Sequence, residues 1–181
     1  MELKQKNLVS ELNLKKIKTI LGSKRYQHTK LVYKAAFKLA EKLNLNLKKV
    51  EIAALLHDIA KNKTAFELKQ IIKNSNWELD QLELAITPVL HAPAGAVIAR
   101  DNFGIEDIEI LEAIRYHTLG HPKMGKIAQV IYAADFISGD RDFAGLDRIR
   151  LEIEKKFEYG LYLITNKIIN YQLKHVLRRI K

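Results

Sequence analysis

His57 and Asp58 are adjacent residues that can each ligate a metal or move a proton. They close an apolar run that reads Ala53-Ala54-Leu55-Leu56-His57-Asp58-Ile59-Ala60-Lys61. An imidazole and a carboxylate are costly to bury without a partner, and a divalent metal is one such partner. Lys61 lies four residues beyond His57 and three beyond Asp58. On a helix those spacings set all three on neighbouring positions of one face. The polar face of an ordinary amphipathic helix can carry the same residues, so the missing ligands have to come from elsewhere in the chain.

Four further residues occupy settings that could complete a site. His28 lies near a predicted helix start in Arg25-Tyr26-Gln27-His28-Thr29, and His117 ends a predicted helix in Tyr116-His117-Thr118-Leu119-Gly120. His91 falls between Pro88 and Pro93. Proline fixes its own φ and biases the preceding residue away from helix, which predicts His91 at a helix entrance. Asp135 sits between Tyr132-Ala133-Ala134 and Phe136-Ile137, where a carboxylate is expensive without a partner. The two remaining histidines are set apart. His121 follows His117 by four residues, a spacing that binds metal on one helix. Gly120 and Pro122 break that helix, so His121 is expected on a cleft wall rather than on a metal. His175 belongs to the basic tail Lys174-His175-Val176-Leu177-Arg178-Arg179 and reads as a surface residue.

The order His, His-Asp, His, His, Asp resembles the HD-domain superfamily of metal-dependent phosphohydrolases. Within it, four stretches are similar to the YqeK family: Arg25-Tyr26-Gln27-His28, Leu55-Leu56-His57-Asp58-Ile59-Ala60-Lys61, Ile114-Arg115-Tyr116-His117-Thr118-Leu119-Gly120 and Ala134-Asp135-Phe136-Ile137-Ser138-Gly139-Asp140-Arg141-Asp142-Phe143. Members of that family are bacterial enzymes that cleave diadenosine tetraphosphate symmetrically at an iron-bearing site. The resemblance implies an all-α fold, an HD-domain helical bundle forming a single domain. It implies His28, His57, Asp58 and Asp135 on one divalent metal, His91 and His117 on a second, and Asp58 as the bridge. It implies iron first, with manganese and zinc as alternatives that nitrogen-rich ligation also suits. Two departures stand out: Ser138-Gly139 replace the usual Glu-Pro, and Ala92 replaces the usual Gly. Neither falls on an implied ligand.

The chemistry so implied is hydrolysis of a phosphoric anhydride. Two metals lower the pKa of a shared water and polarise the phosphoryl oxygen. The resulting hydroxide attacks phosphorus in line, and two ADP leave. Phosphoryl transfer is mainly positioning and charge neutralisation, so nearby cations are substrate candidates. Asp58 and Lys61 are the expected catalytic residues, Lys61 as a phosphate contact or water-positioning group. Arg25 and Arg141 could clamp phosphates with bidentate geometry. Thr118 either donates to a phosphate or caps the break after His117, and Phe143 could stack an adenine. Alternatives are an HD phosphohydrolase of another nucleotide (a deoxynucleotide, a guanosine polyphosphate or a cyclic dinucleotide) and a non-catalytic nucleotide- or RNA-binding helical protein.

Helices must hold these side chains, and the pattern is helical nearly throughout. Leu8, Leu12, Ile17, Ile20 and Leu21 begin it, and Gly22-Ser23 separates them from a long stripe running from Leu31 to Leu43. Further helices are predicted at roughly 47–60, 64–74, 78–86, 93–102, 106–116 and 127–137. A long amphipathic helix or a pair of helices fills the remainder from Asp147. The 181 residues are expected to form one HD-type domain over 1–181, with a metal core of about 24–143 and a C-terminal helical segment of about 146–181. The absence of Cys excludes disulfides, thiolate zinc sites and Cys nucleophiles. No apolar run approaches a membrane span and no signal-peptide core is present, so the chain reads as cytoplasmic with no membrane partner. The formal charge of +10 suits a polyanion such as a small-molecule nucleotide. The lysines are spread over helix faces and the aromatics are not interleaved with them, which argues against specific nucleic-acid binding. A homodimer is left open.

Overall fold

The computed structural model describes residues 14–179 except 76 and 80, with backbone alone at 82, 85 and 175–179. In chain order the helices are α1 (Leu14–Lys42), α2 (Leu47–Leu56), α3 (Ala65–Lys73), α4 (Gln81–Ala85), a 3-10 turn (Thr87–Val89), α5 (His91–Phe103), α6 (Ile108–Tyr116), α7 (Lys126–Ile137), α8 (Leu146–Lys155) and α9 (Phe157–Arg179). The expected all-α bundle is therefore what forms, with no strand among the described residues. Leu8 and Leu12 lie outside those residues.

Local chemistry accounts for most boundaries. Gly22 breaks α1 with φ 70° and ψ 167°, a backbone state open to glycine, so the predicted separation at Gly22-Ser23 is a kink between two helical halves. The Asn46 side chain accepts from the amides of Lys48 and Lys49 to start α2. Thr64 and Glu67 form a reciprocal capping box on α3. Asp107 caps α6 through the Glu109 amide. The helix predicted over 47–60 stops at Leu56. Beyond it the chain tightens into turns: Ile59 N bonds to Leu56 O and Lys61 N to Asp58 O. His57 and Asp58 thus sit just past a helix end rather than within a helix. The C-terminal segment is a pair of helices, broken at Lys156, which adopts extended φ and ψ.

Alanine-rich α2 and α7 run through the centre of the core. Ala53, Ala54, Ala133 and Ala134 are fully buried, as are Leu56, Val130 and Ile131. Helix α1 packs across both α2 and α7, α6 packs on α5, α7 and α2, and α8 pairs with α9. Small side chains let these backbones approach closely. The ends of α2, α5, α6 and α7 consequently converge beside the middle of α1.

Candidate metal centre

Three of the four clustered histidines are oriented by one local device. His57 caps the end of α2, His117 caps the end of α6, and His91 opens α5 directly after the 3-10 turn. In each, ring Nδ1 lies 2.7–2.8 Å from the carbonyl oxygen three residues earlier: Ala54, Ile114 and Pro88 respectively. Carbonyls in a final helical turn lack intrahelical partners. A carbonyl can only accept, so Nδ1 carries the proton and Nε2 presents a bare lone pair. His28 lies inside α1, where the preceding carbonyls are engaged. Its Nδ1 donates instead to Asp140 Oδ2 at 2.8 Å, and Ser138 Oγ donates to Asp140 Oδ1 at 2.7 Å. Asp140 escaped the sequence reading because it lies in a polar loop 112 residues from His28. Ser138, a departure from the family pattern, is thus two contacts away from a candidate ligand.

The four Nε2 atoms face the carboxylate of Asp58 from two sides. Oδ2 is 3.9 Å from His28 Nε2 and 3.7 Å from His57 Nε2. Oδ1 is 3.2 Å from His91 Nε2 and 3.6 Å from His117 Nε2. The result is two buried triads that could each hold an ion, His28–His57–Asp58 and Asp58–His91–His117, with Asp58 in both. Ligands about 2.1 Å from a metal lie about 3 Å apart when adjacent, so these separations are near those of a filled site. The donor set itself calls for a cation. His57 is fully buried and its Nε2 has no hydrogen-bond partner, while His91 and His117 turn bare nitrogens on each other at 3.2 Å. The residues present therefore fit metal ions in both triads.

Asp135 is placed at the edge of this cluster. Its Oδ1 is 3.1 Å from His28 Nε2, outside the spacing of either triad, and accepts from Arg141 Nη2 at 2.6 Å. Arg25 Nη1 donates to Asp58 Oδ2 at 3.2 Å. Lys61 Nζ lies 3.0 Å from His91 Nε2 and 3.9 Å from Asp58 Oδ1. The electrostatics follow from burial and these neighbours. Burial pushes the His57 imidazolium down to about 4 and lowers His91 and Lys61 as well. Burial opposes ionisation of Asp58, but His57, His117 and His91 outweigh it and hold the carboxyl well below its ordinary value. Burial also works against the His28 imidazolium, yet Asp135 and Asp140 raise it. The carboxylate of Asp58 is therefore ionised, and His57 and His91 are kept neutral, at neutral pH.

A cleft of about 610 Å³ opens onto the cluster, lined by Lys61, His91, His117, Thr118, Asp135, Arg141 and Phe143 among others. Lys61, Thr118, Arg141 and Phe143 thus share one wall system with the triads, whereas Arg25 touches Asp58 without lining the cleft. Residues Lys167, Tyr171 and Gln172 of α9 also line it, a contribution that no motif announced. His121 stands apart from both triads and stacks on Tyr116 with ring centroids 4.6 Å apart. The side chain of His175 lies outside the described residues. No helix among the described residues is long and apolar enough to cross a membrane.

Comparison with known proteins brings in three relatives and a family model. The HD domain model matches residues 25–140, which include every member of the two triads. A symmetrical bis(5'-nucleosyl)-tetraphosphatase of Bacillus subtilis is 43% identical over 146 residues, covering 80% of this chain and 77% of the relative. One from Halalkalibacterium halodurans is 34% identical over 161 residues, covering 89% and 86%. Among solved structures, a Clostridium acetobutylicum protein described as a predicted HD superfamily hydrolase involved in NAD metabolism superposes with a TM-score of 0.84. It is 31% identical, over 90% of this chain and 86% of that one.

Proposed function

The chain belongs to the HD-domain family, whose hydrolases depend on metals, and from that membership we propose that it hydrolyses diadenosine tetraphosphate symmetrically to two ADP. The relatives of that named activity support the substrate. The observation that carries the reading is Asp58, with one carboxylate oxygen toward His28 and His57 and the other toward His91 and His117. That is the arrangement a pair of ions sharing one carboxylate requires. His28, His57 and Asp58 would hold one ion with Asp135 beside His28, and His91, His117 and Asp58 would hold the other. Iron is the first choice, with manganese and zinc as the alternatives. Bound there, the ions would supply an activated water and neutralise charge on the phosphates.

The remaining work falls to the chain's own groups. The reaction joins a water oxygen to one inner phosphorus and breaks that phosphorus's bond to the bridging oxygen, which leaves as the terminal oxygen of the second ADP, with a proton released to solvent. Lys61, beside His91 and Asp58, contacts the phosphate chain where negative charge moves. Arg141, already paired with Asp135, swings its other guanidinium edge to the phosphates, and Thr118 donates from the cleft wall. Arg25 supports Asp58 and approaches the phosphates from outside the cleft. Phe143, packed edge-on against Phe136 at 5.2 Å, offers a face for adenine. In this reading residues 1–181 form one HD-type domain, with the metal core at about 24–143 and a C-terminal helical segment at about 146–181.

Metal analysis of the purified protein, coupled to identification of products from diadenosine tetraphosphate, tests this directly. ADP as the sole nucleotide product and up to two ions per chain are expected. ATP plus AMP, or no turnover beside rapid cleavage of another nucleotide, overturns it in favour of a different HD phosphohydrolase.

A further inference from the structure

The cleft described above is not the only opening onto Lys61 and His91. A second one, of about 380 Å³, is lined by Lys61, Lys63, Ala65, Leu68, Thr87, Pro88 and His91. The two openings share Lys61, Pro88 and His91 and then diverge. The larger runs toward Asp135, Arg141 and the aromatic side chains of α7 and α9. The smaller runs toward the start of α3, where Lys63 sits 3.6 Å from Glu67. Both volumes fall within the range of about 300–1,000 Å³ usual for small-molecule sites.

A dinucleoside tetraphosphate cut at its centre must leave one nucleoside diphosphate on each side of the cut. The larger cleft, which His91, His117 and Asp135 line, offers a place for one of them beside the triads. Resting on the dinucleotide reading above, we propose that the 380 Å³ opening is the subsite for the second nucleoside diphosphate. Lys61 stands at the junction, where it meets the inner phosphates of either half. Lys63 faces the outer phosphate of the second half, and Leu68, Ala65 and Pro88 form an apolar shelf beneath its nucleoside. The two ends are chemically unequal. Phe143, Phe136 and Tyr171 border the larger cleft, whereas among the described residues no aromatic side chain borders the smaller one. A symmetric substrate is therefore held asymmetrically: one adenine stacks on aromatic rings, and the other rests on aliphatic carbon that tolerates any base.

Ala65 and Thr87 are exposed at the mouth of the smaller opening, so Ala65→Trp and Thr87→Trp fill it without entering the core. The first measurement is equilibrium dialysis of ADP against the full chain with Mn²⁺ supplied. The wild type should bind two ADP per chain and each variant one. The second is kcat/KM for diadenosine tetraphosphate relative to adenosine 5'-tetraphosphate, which carries one nucleoside. That ratio should fall at least tenfold in both variants. A wild type that binds one ADP, or variants that weaken both substrates in parallel, overturns the second subsite even where symmetrical hydrolysis is observed. Two ADP bound by a wild type that hydrolyses neither substrate upholds the subsite while overturning the hydrolase reading.

Discussion

Asp58→Asn is the substitution that separates a shared carboxylate from four independent histidines. Asparagine keeps the shape of the side chain but removes its charge and turns one oxygen into an amide that donates. Both oxygens are committed: Oδ2 lies 3.9 and 3.7 Å from His28 and His57, and Oδ1 lies 3.2 and 3.6 Å from His91 and His117. Whichever way the amide turns, one triad gains a hydrogen aimed at a metal position and both lose an anionic ligand. Truncating one partner of a desolvated charge pair costs about 2–5 kcal/mol. At tenfold per 1.4 kcal/mol this weakens each ion by roughly 30-fold to a few thousand-fold. The assay is ion stoichiometry after dialysis against Mn²⁺, read by elemental mass spectrometry, with His91→Ala alongside because His91 belongs to one triad only. Two ions are expected in the wild type, one in His91→Ala and none in Asp58→Asn, with hydrolysis abolished in the last. Circular dichroism of the metal-free variants controls for folding. Retention of one tight ion by Asp58→Asn would refute the bridge.

Three further outcomes follow from the same geometry. Asp140→Ala removes the acceptor that holds His28 Nδ1 at 2.8 Å; it should weaken one ion by about 10–100-fold and spare the other, and equal weakening of both in a titration would contradict the assignment. In the metal-free protein, burial lowers the His57 pKa from 6.5 to about 4. The unfolded chain then binds a proton that the folded chain does not, so stability rises with pH across that window and is lost as pH falls through it. The contribution is about 3 kcal/mol at most. Urea titrations should show it as a pH slope that His57→Gln flattens, while the raised His28 pKa acts with the opposite sign as pH climbs above 6.5. Gly160→Ala puts a Cβ 2.7 Å from Ile153 Cγ1 and closer still to its Cα and Cβ. Overpacking between α8 and α9 should cost about 1–3 kcal/mol and lower the melting temperature by several degrees; an unchanged melting curve would show that α9 shifts freely.

Residue pattern gave away the elements wherever turn chemistry was explicit. Pro88 and Pro93 placed His91 at a helix entrance, and α5 begins there. The end of α2 was less legible. Ile59 and Ala60 continue the apolar pattern, and over three or four residues a helical turn and a run of tight turns present the same periodicity. What decides between them is hydrogen bonding: the His57 ring takes the Ala54 carbonyl, and the following amides reach back only three residues. Long-range pairs were invisible for a different reason. Arg115 was quoted only as part of a motif, yet it forms a two-pronged, mostly buried ion pair with Glu83 at 2.8 and 3.1 Å and lies 5.2 Å from the Trp77 ring centre. Periodicity assigns such charges to solvent, and nothing local to either residue says that they meet.

The same distinction runs through the candidate metal centre. His57, His91 and His117 are each oriented by a carbonyl three residues back, so their Nε2 directions are encoded within a single turn of chain. Helix ends and proline positions could therefore mark where these rings sit, while their roles as ligands were implied by the resemblance to the HD pattern. His28 has no such carbonyl, because a residue in mid-helix finds those acceptors already bonded to backbone amides. Its aim depends on Asp140, which in turn depends on Ser138, and both arrive from the end of α7 only once the bundle has closed. Packing of α2, α5 and α6 brings the His91–His117 half together, but the aim of its rings is set locally, whereas the aim of His28 exists only in the packed fold. Partial unfolding that lifts the loop after α7 away from α1 should release the ion beside His28 before the ion between His91 and His117.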